Sequence, residues 1–134
     1  MHFCAEMQLF TKDELKKLAV NVFTAMGCDR QDSETAADVL VSADIRGIDS
    51  HGVSRLSGYV SLWKAGRINM SPKVEIIRER KSTFTINGDG GLGLIVAPKA
   101  MNIAIERAKI YGSGWGAISN SNHFGIAGYH AMMA

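Results

Sequence analysis

The spacing of apolar residues changes once along this chain, near residue 70, and that change sets the class of fold open to it. Up to Gly66 the apolar positions recur every three or four residues, the period of a helix with one buried face. From Val74 onward short runs rich in β-branched residues take over, broken by charged and glycine-bearing turns. A chain of 134 residues has room for one mixed core and little more. The expected class is therefore α/β (α+β), with a helical region over residues 1–70 and the start of an incomplete α/β region over residues 71–134.

The helix signals are specific. Thr11 is placed to cap a helix, Glu14 completes a capping box with it, and Phe10 is placed to staple onto Leu15. Leu15, Leu18, Ala19, Val22, Phe23 and Met26 then form a core stripe that Gly27 ends. A second helix is expected from Asp32 or Ser33 to Gly47, turning Ala36, Leu40 and Ala43 inward. A third runs from about His51 to Ala65, buries Leu56, Val60 and Trp63, and stops at Gly66. Beyond the change of period, 74–79 and 82–87 read as a hairpin or neighbouring strands. A helix over 94–110 buries Val96, Ala100, Ile103, Ala104 and Ala108 and closes at Gly112. Trp115 to Ser119 reads as a buried strand. The last apolar run, to Ala134, carries neither cap nor polar tail, so the expectation is a fragment of a longer chain.

Charge excludes some partners. The net charge is +2, from 15 basic and 13 acidic residues spread without runs. No basic patch forms for nucleic acid or an anionic membrane surface. No apolar stretch nears the roughly 20 residues of a membrane span, and the first ten residues carry no secretory signal pattern. Cys4 and Cys28 read as reduced thiols of a cytoplasmic protein, a single disulfide being the alternative. Histidines and cysteines do not fall at zinc-ligand spacings, so no metal is expected.

Three stretches carry chemistry. On the expected third helix His51, Arg55 and Tyr59 are four and eight residues apart and share one face. An imidazole, a guanidinium and a phenol so placed would handle a proton, grip a carboxylate and orient a hydroxyl of a small acid. The competing reading is a capping histidine on a solvated face. Gly88, Gly90 and Gly93 match the spacing of a dinucleotide fingerprint between strand and helix. The acidic residue that such a site needs on the following strand is absent: Ser119 and Asn120 stand there, and Glu106 lies inside the helix. A tight turn is the better reading of these glycines. His123 lies past a strand end beside Asn120 and Asn122, where open α/β sheets place reactive groups. His130 lacks such a context and reads as surface or packing.

Two long motifs carry a resemblance. Arg46-Gly47-Ile48-Asp49-Ser50-His51-Gly52-Val53 with Arg55-Leu56, Tyr59, Gly66-Arg67-Ile68-Asn69 and Pro72 resembles the first signature of the type 2 malate/L-lactate dehydrogenases. Asn120-Ser121-Asn122-His123-Phe124-Gly125-Ile126-Ala127-Gly128-Tyr129 is similar to the second. The resemblance implies a mixed-sheet, non-Rossmann oxidoreductase fold, here truncated, an NAD or NADP cofactor, and a homodimer. It implies hydride transfer between a 2-hydroxy acid, such as malate or lactate, and the nicotinamide. Residue by residue, it implies that His123 takes the C2 hydroxyl proton. His51, oriented by Ser50, would bind the substrate oxygen or serve as the alternative acid. Arg55 would pair with the carboxylate, Tyr59 would line the pocket, and His123, Phe124 and Gly125 would border the cofactor. The alternatives are a non-catalytic dimerisation or ligand-binding module, and a self-sufficient dinucleotide-binding domain built on the glycines.

Overall fold

The computed structural model describes residues 8–134. Cys4 lies outside them, so its expected state has no structural counterpart here, while Cys28 is a free, buried thiol. Five α-helices and three strands follow in order: α1 (Lys12–Ala25), α2 (Arg30–Ile45), α3 (Leu56–Lys64), β1 (Glu75–Glu79), β2 (Thr83–Gly91), α4 (Gly93–Tyr111), β3 (Trp115–Ser121) and α5 (Ala127–Met133).

The first helix starts as the capping signal requires. Glu14 N–H donates to Thr11 Oγ1 at 3.3 Å, and Thr11 N–H returns the bond to the Glu14 carboxylate at 2.8 Å. The core stripe is narrower than expected. Ala19, Phe23 and Met26 are buried, whereas Leu18 is 50% exposed and Phe10 stays out in solvent. Among the described elements α1 packs chiefly on α2, so only the side facing that helix is covered. Leu18 lies about 100° round from Ala19 and misses it. Lys16 bridges to Asp38 of α2 at 2.7 Å. On α2, capped by Asp29, the expected Ala36, Leu40 and Ala43 are buried together with Val39 and Val41.

The three strands form one mixed sheet in the order β1-β2-β3, with β1 antiparallel and β3 parallel to β2. Helix α4 makes the crossover that a parallel pair needs. Phe84 and Ile86 of β2 point into a core closed by Val96 and Ala100 of α4. The expected buried strand at 115–119 is instead an exposed edge: every residue of β3 is accessible. It pairs with β2 on one side only, and none of the described elements covers the other. A larger core joins α1, α2 and α3 to Leu92, Leu94 and Ile95 at the start of α4. Thus α4 touches both cores, and the loop after β3 lies next to its first turn.

Candidate active site

The His51 segment is not the single helix expected. Two 3-10 turns, Asp49–His51 and Val53–Arg55, precede α3, and Gly52 between them is extended, with φ −92° and ψ −151°. Asp44, near the end of α2, causes the break. Its carboxylate accepts the Val53 N–H at 2.9 Å, and a Cβ at Gly52 would lie 1.9 Å from Asp44 Oδ1. Only glycine lets the chain pass that close. Burial raises the Asp44 carboxyl pKa above its usual value, against the Val53 bond, which lowers it. Sequence reasoning passed over this residue, although a signal existed: an acidic side chain in the last turn of a helix opposes the helix dipole and calls for another partner.

Within the double turn the predicted residues are tied together. Ser50 Oγ lies 2.9 Å from His51 Nδ1. Arg55 Nε donates to the Ser50 carbonyl at 2.6 Å, and Ser54 Oγ donates to the Asp49 carbonyl at 2.6 Å. No further hydrogen bond engages the two terminal amino groups of exposed Arg55 among the described residues.

His123 comes from the far end of the chain. It follows β3 on a loop laid across the start of α4, so close that a Cβ at Gly93 would sit 2.4 Å from the Asn122 carbonyl oxygen. Asn122 Nδ2 secures the loop by donating to the Gly90 carbonyl at 2.8 Å. Tyr59 Oη is 2.8 Å from His123 Nδ1, and the Gly125 N–H donates to the same nitrogen at 3.3 Å. The rings of His51 and His123 are 5.4 Å apart between centroids, and those of Tyr59 and His123 are 6.0 Å apart. The structure thus gathers His51, Tyr59 and His123, with Ser50 and Arg55 at the edge, without the helical stripe that first linked them. Tyr59 itself is only 3% exposed, and its hydroxyl meets the imidazole.

Electrostatics follow from this crowding. Burial pushes the Tyr59 phenol up to about 12, with Arg55 opposing slightly, so it keeps its proton. Burial first, then the positive charge of Arg55 and the neighbouring His51 ring, hold the His123 imidazole below its ordinary value. That shift favours the uncharged ring at neutral pH.

Beside this cluster an open groove of about 630 Å³ runs between α4, β3 and α5, with Phe124 and His130 on its wall. Phe124 is 47% exposed, a flat aromatic face. Gly125 is buried and gives its N–H to His123. His130, read from sequence as surface or packing, lies 2.9 Å through Nε2 from the Phe124 carbonyl. A carbonyl only accepts, so Nε2 carries a hydrogen, and in the neutral ring that leaves Nδ1 an acceptor. That Nδ1 is buried without a partner among the described residues. The glycines do not form one strand-to-helix loop: Gly88 to Gly91 continue β2, and only Gly93 opens the helix, where it admits the His123 loop.

A three-stranded mixed sheet packed against helices is also found in a group of solved dehydrogenases. The chain superposes on sulfolactate dehydrogenase from Methanocaldococcus jannaschii with a TM-score of 0.92 and 41% identity, covering 94% of this chain and 37% of that one. Malate dehydrogenase from Entamoeba histolytica gives 0.91 and 38%, covering 95% and 36%. A malate dehydrogenase from Pyrococcus abyssi is 50% identical over 123 residues, which is 92% of this chain and 34% of that protein. Residues 10–134 match the malate/L-lactate dehydrogenase family model, and the chain belongs to that family. It spans about a third of the length of the relatives it matches.

Proposed function

We propose that this chain is the substrate-side part of an NAD(P)-dependent 2-hydroxy acid dehydrogenase acting on malate, lactate or a close analogue. The observation that carries the reading is the pair of imidazoles 5.4 Å apart, beside a guanidinium whose terminal amino groups have no partner among the described residues. A small 2-hydroxy acid needs those two functions: a cationic fork for the carboxylate and a nitrogen that handles the hydroxyl proton. Arg55 supplies the fork. Ser50 orients His51, and the two histidines share the substrate oxygen. Tyr59 closes the floor beneath His123.

The residues present fit a nicotinamide group. The exposed ring of Phe124 offers a stacking face, and His130, on the wall of the same groove, has a buried Nδ1 without a partner among the described residues. These two would hold part of the cofactor, with His123 at its border. When bound, the nicotinamide supplies the hydride acceptor, a chemistry no side chain here provides. Cytoplasmic location and a homodimer complete the proposal. No described helix is long and apolar enough to cross a membrane.

The test is reduction of oxaloacetate, pyruvate and sulfopyruvate by the complete subunit that carries this segment, with NADH and NADPH compared. Turnover of at least one 2-oxo acid is expected, with loss in Arg55→Ala expressed mainly in KM. The 134-residue chain alone is expected to be inactive or nearly so. Absence of turnover in the complete subunit with both cofactors would refute the reading.

A further inference from the structure

We propose that Tyr59 and Gly125 hold His123 as the neutral tautomer with its hydrogen on Nε2, so that His123 gives a hydrogen bond to the substrate oxygen while His51 takes the substrate proton. This rests on the 2-hydroxy acid reading above. It divides between two rings a task that the family resemblance assigned first to His123.

The decisive contact is with the backbone. A peptide N–H can only donate, and that of Gly125 is directed at His123 Nδ1 at 3.3 Å. Nδ1 must therefore present its lone pair. The Tyr59 hydroxyl, 2.8 Å from the same nitrogen, is able to donate or to accept. Donation places two donors on one lone pair. Acceptance would need a hydrogen on Nδ1, facing the Gly125 N–H head on. The phenol keeps its proton, as its burial requires. A neutral imidazole with the lone pair on Nδ1 carries its hydrogen on Nε2. The one ring nitrogen left for a substrate is thus a donor, suited to polarising a carbonyl and steadying a developing alkoxide.

His51 is held differently. Its Nδ1 meets Ser50 Oγ at 2.9 Å, a hydroxyl that accepts as readily as it donates. No backbone N–H is directed at either nitrogen of this ring among the described residues. With Nδ1–H given to Ser50, Nε2 keeps a lone pair free to take a proton. On oxidation of the 2-hydroxy acid, the C2–H bond breaks with its electron pair and the hydride goes to the nicotinamide. The C2–O bond becomes a carbonyl, and the hydroxyl proton passes to His51 Nε2. The acid loses two electrons and two hydrogens, and His123 retains its own hydrogen throughout. In this scheme Tyr59 is a positioning residue, acting through the ring it fixes.

The tautomer is read directly by long-range 1H–15N correlation of the ring nitrogens in the 134-residue chain, labelled at histidine. The expected spectrum shows His123 protonated at Nε2 and bare at Nδ1 in the neutral form. Tyr59→Phe should shift that pattern toward a mixture of the two neutral forms. A majority of His123 protonated at Nδ1 would overturn the tautomer. In the complete subunit, His123→Gln keeps a side-chain donor and should retain a measurable fraction of kcat. His51→Gln should lose about 10²–10⁴-fold, the usual range for a lost general base. A loss in His123→Gln equal to or greater than that in His51→Gln would overturn the division of roles. If the complete subunit turns over no 2-oxo acid, the functional reading fails and the proton assignment with it, while the spectrum still decides the tautomer.

Discussion

At the scale of the residue, Arg55 faces two ways, and both can be measured. Its terminal amino groups are proposed to grip a carboxylate, and a hydrogen bond to a charged group contributes about 1.5–3 kcal/mol. In the complete subunit Arg55→Ala should therefore raise KM by roughly ten- to a hundredfold. The same charge helps keep His123 neutral, after burial and ahead of His51. Arg55→Gln should accordingly raise the His123 pKa, which NMR titration of the ring will show. The stability consequence has a definite sign. A histidine whose folded pKa is depressed contributes stability that is full above its ordinary 6.5, declines as the pH falls through that value, and is gone below the folded pKa. Denaturant melts of the chain and of His123→Gln should differ most at slightly alkaline pH and converge under mildly acid conditions. A gap that widens on acidification would show that the imidazole is stabilised as the cation.

At the scale of the element, two backbone contacts fix where the catalytic candidates stand. Asp44 pins the double turn that carries Ser50, His51 and Arg55, and Gly93 lets the His123 loop lie against α4. Removing the carboxylate in Asp44→Ala leaves the Val53 N–H without its acceptor, a loss of about 1–3 kcal/mol. Asp44→Asn keeps an oxygen for that N–H and should cost less. Gly93→Ala forces a methyl group into the Asn122 carbonyl and should destabilise by about 1–3 kcal/mol, the range for overpacking. Thermal melts measure all three, and the ring signals of His123 should move most in Gly93→Ala. These contacts also mark what sequence could and could not convey. The capping box at Thr11, the C-terminal ends of α2 and α4, and the β1–β2 hairpin were legible because each is written in adjacent residues, whereas α2 begins earlier than Asp32, capped by Asp29. Motif resemblance named His51 and His123, yet nothing in their spacing said that the rings would meet. That meeting depends on Gly52 and Gly93 passing close to atoms 8 and 29 residues away in the chain. The helical stripe failed for the same reason: Gly52 is extended where it passes Asp44, and a helix cannot run through an extended residue. Strand β3 looked buried because its composition is apolar, and composition does not say whether a neighbouring strand will stand beside it.

At the scale of the whole molecule, α4 decides whether the helical region and the sheet behave as one cooperative unit or two. Its first turn, with Leu94 and Ile95, belongs to the helical core, and Val96 and Ala100 close the core beneath β2. A boundary near residue 70, as proposed from the change in apolar period, would cut between regions that share this helix. The larger core holds Phe23, Leu40, Leu92 and Leu94 wholly out of solvent, whereas the smaller rests on four buried residues. At about 25 cal/mol per Å² of apolar area removed from water, the larger core contributes most of the stabilisation. The sheet is the weaker partner at its edges, where every residue of β1 and β3 is exposed and, among the described residues, one row of backbone groups on each has no neighbouring strand. Native-state hydrogen exchange should therefore rank the amides. Those of α2 and of the first half of α4 should exchange most slowly and at a common rate, β2 should come next, and the two edge strands β1 and β3 should exchange fastest. If β3 amides were protected to the level of α2, its edge would have to be covered, as by a second copy of the chain, and their protection would then fall on dilution. If α2 and the first half of α4 exchanged at different rates, α4 would not couple the two cores and the boundary near residue 70 would be a true division of the fold.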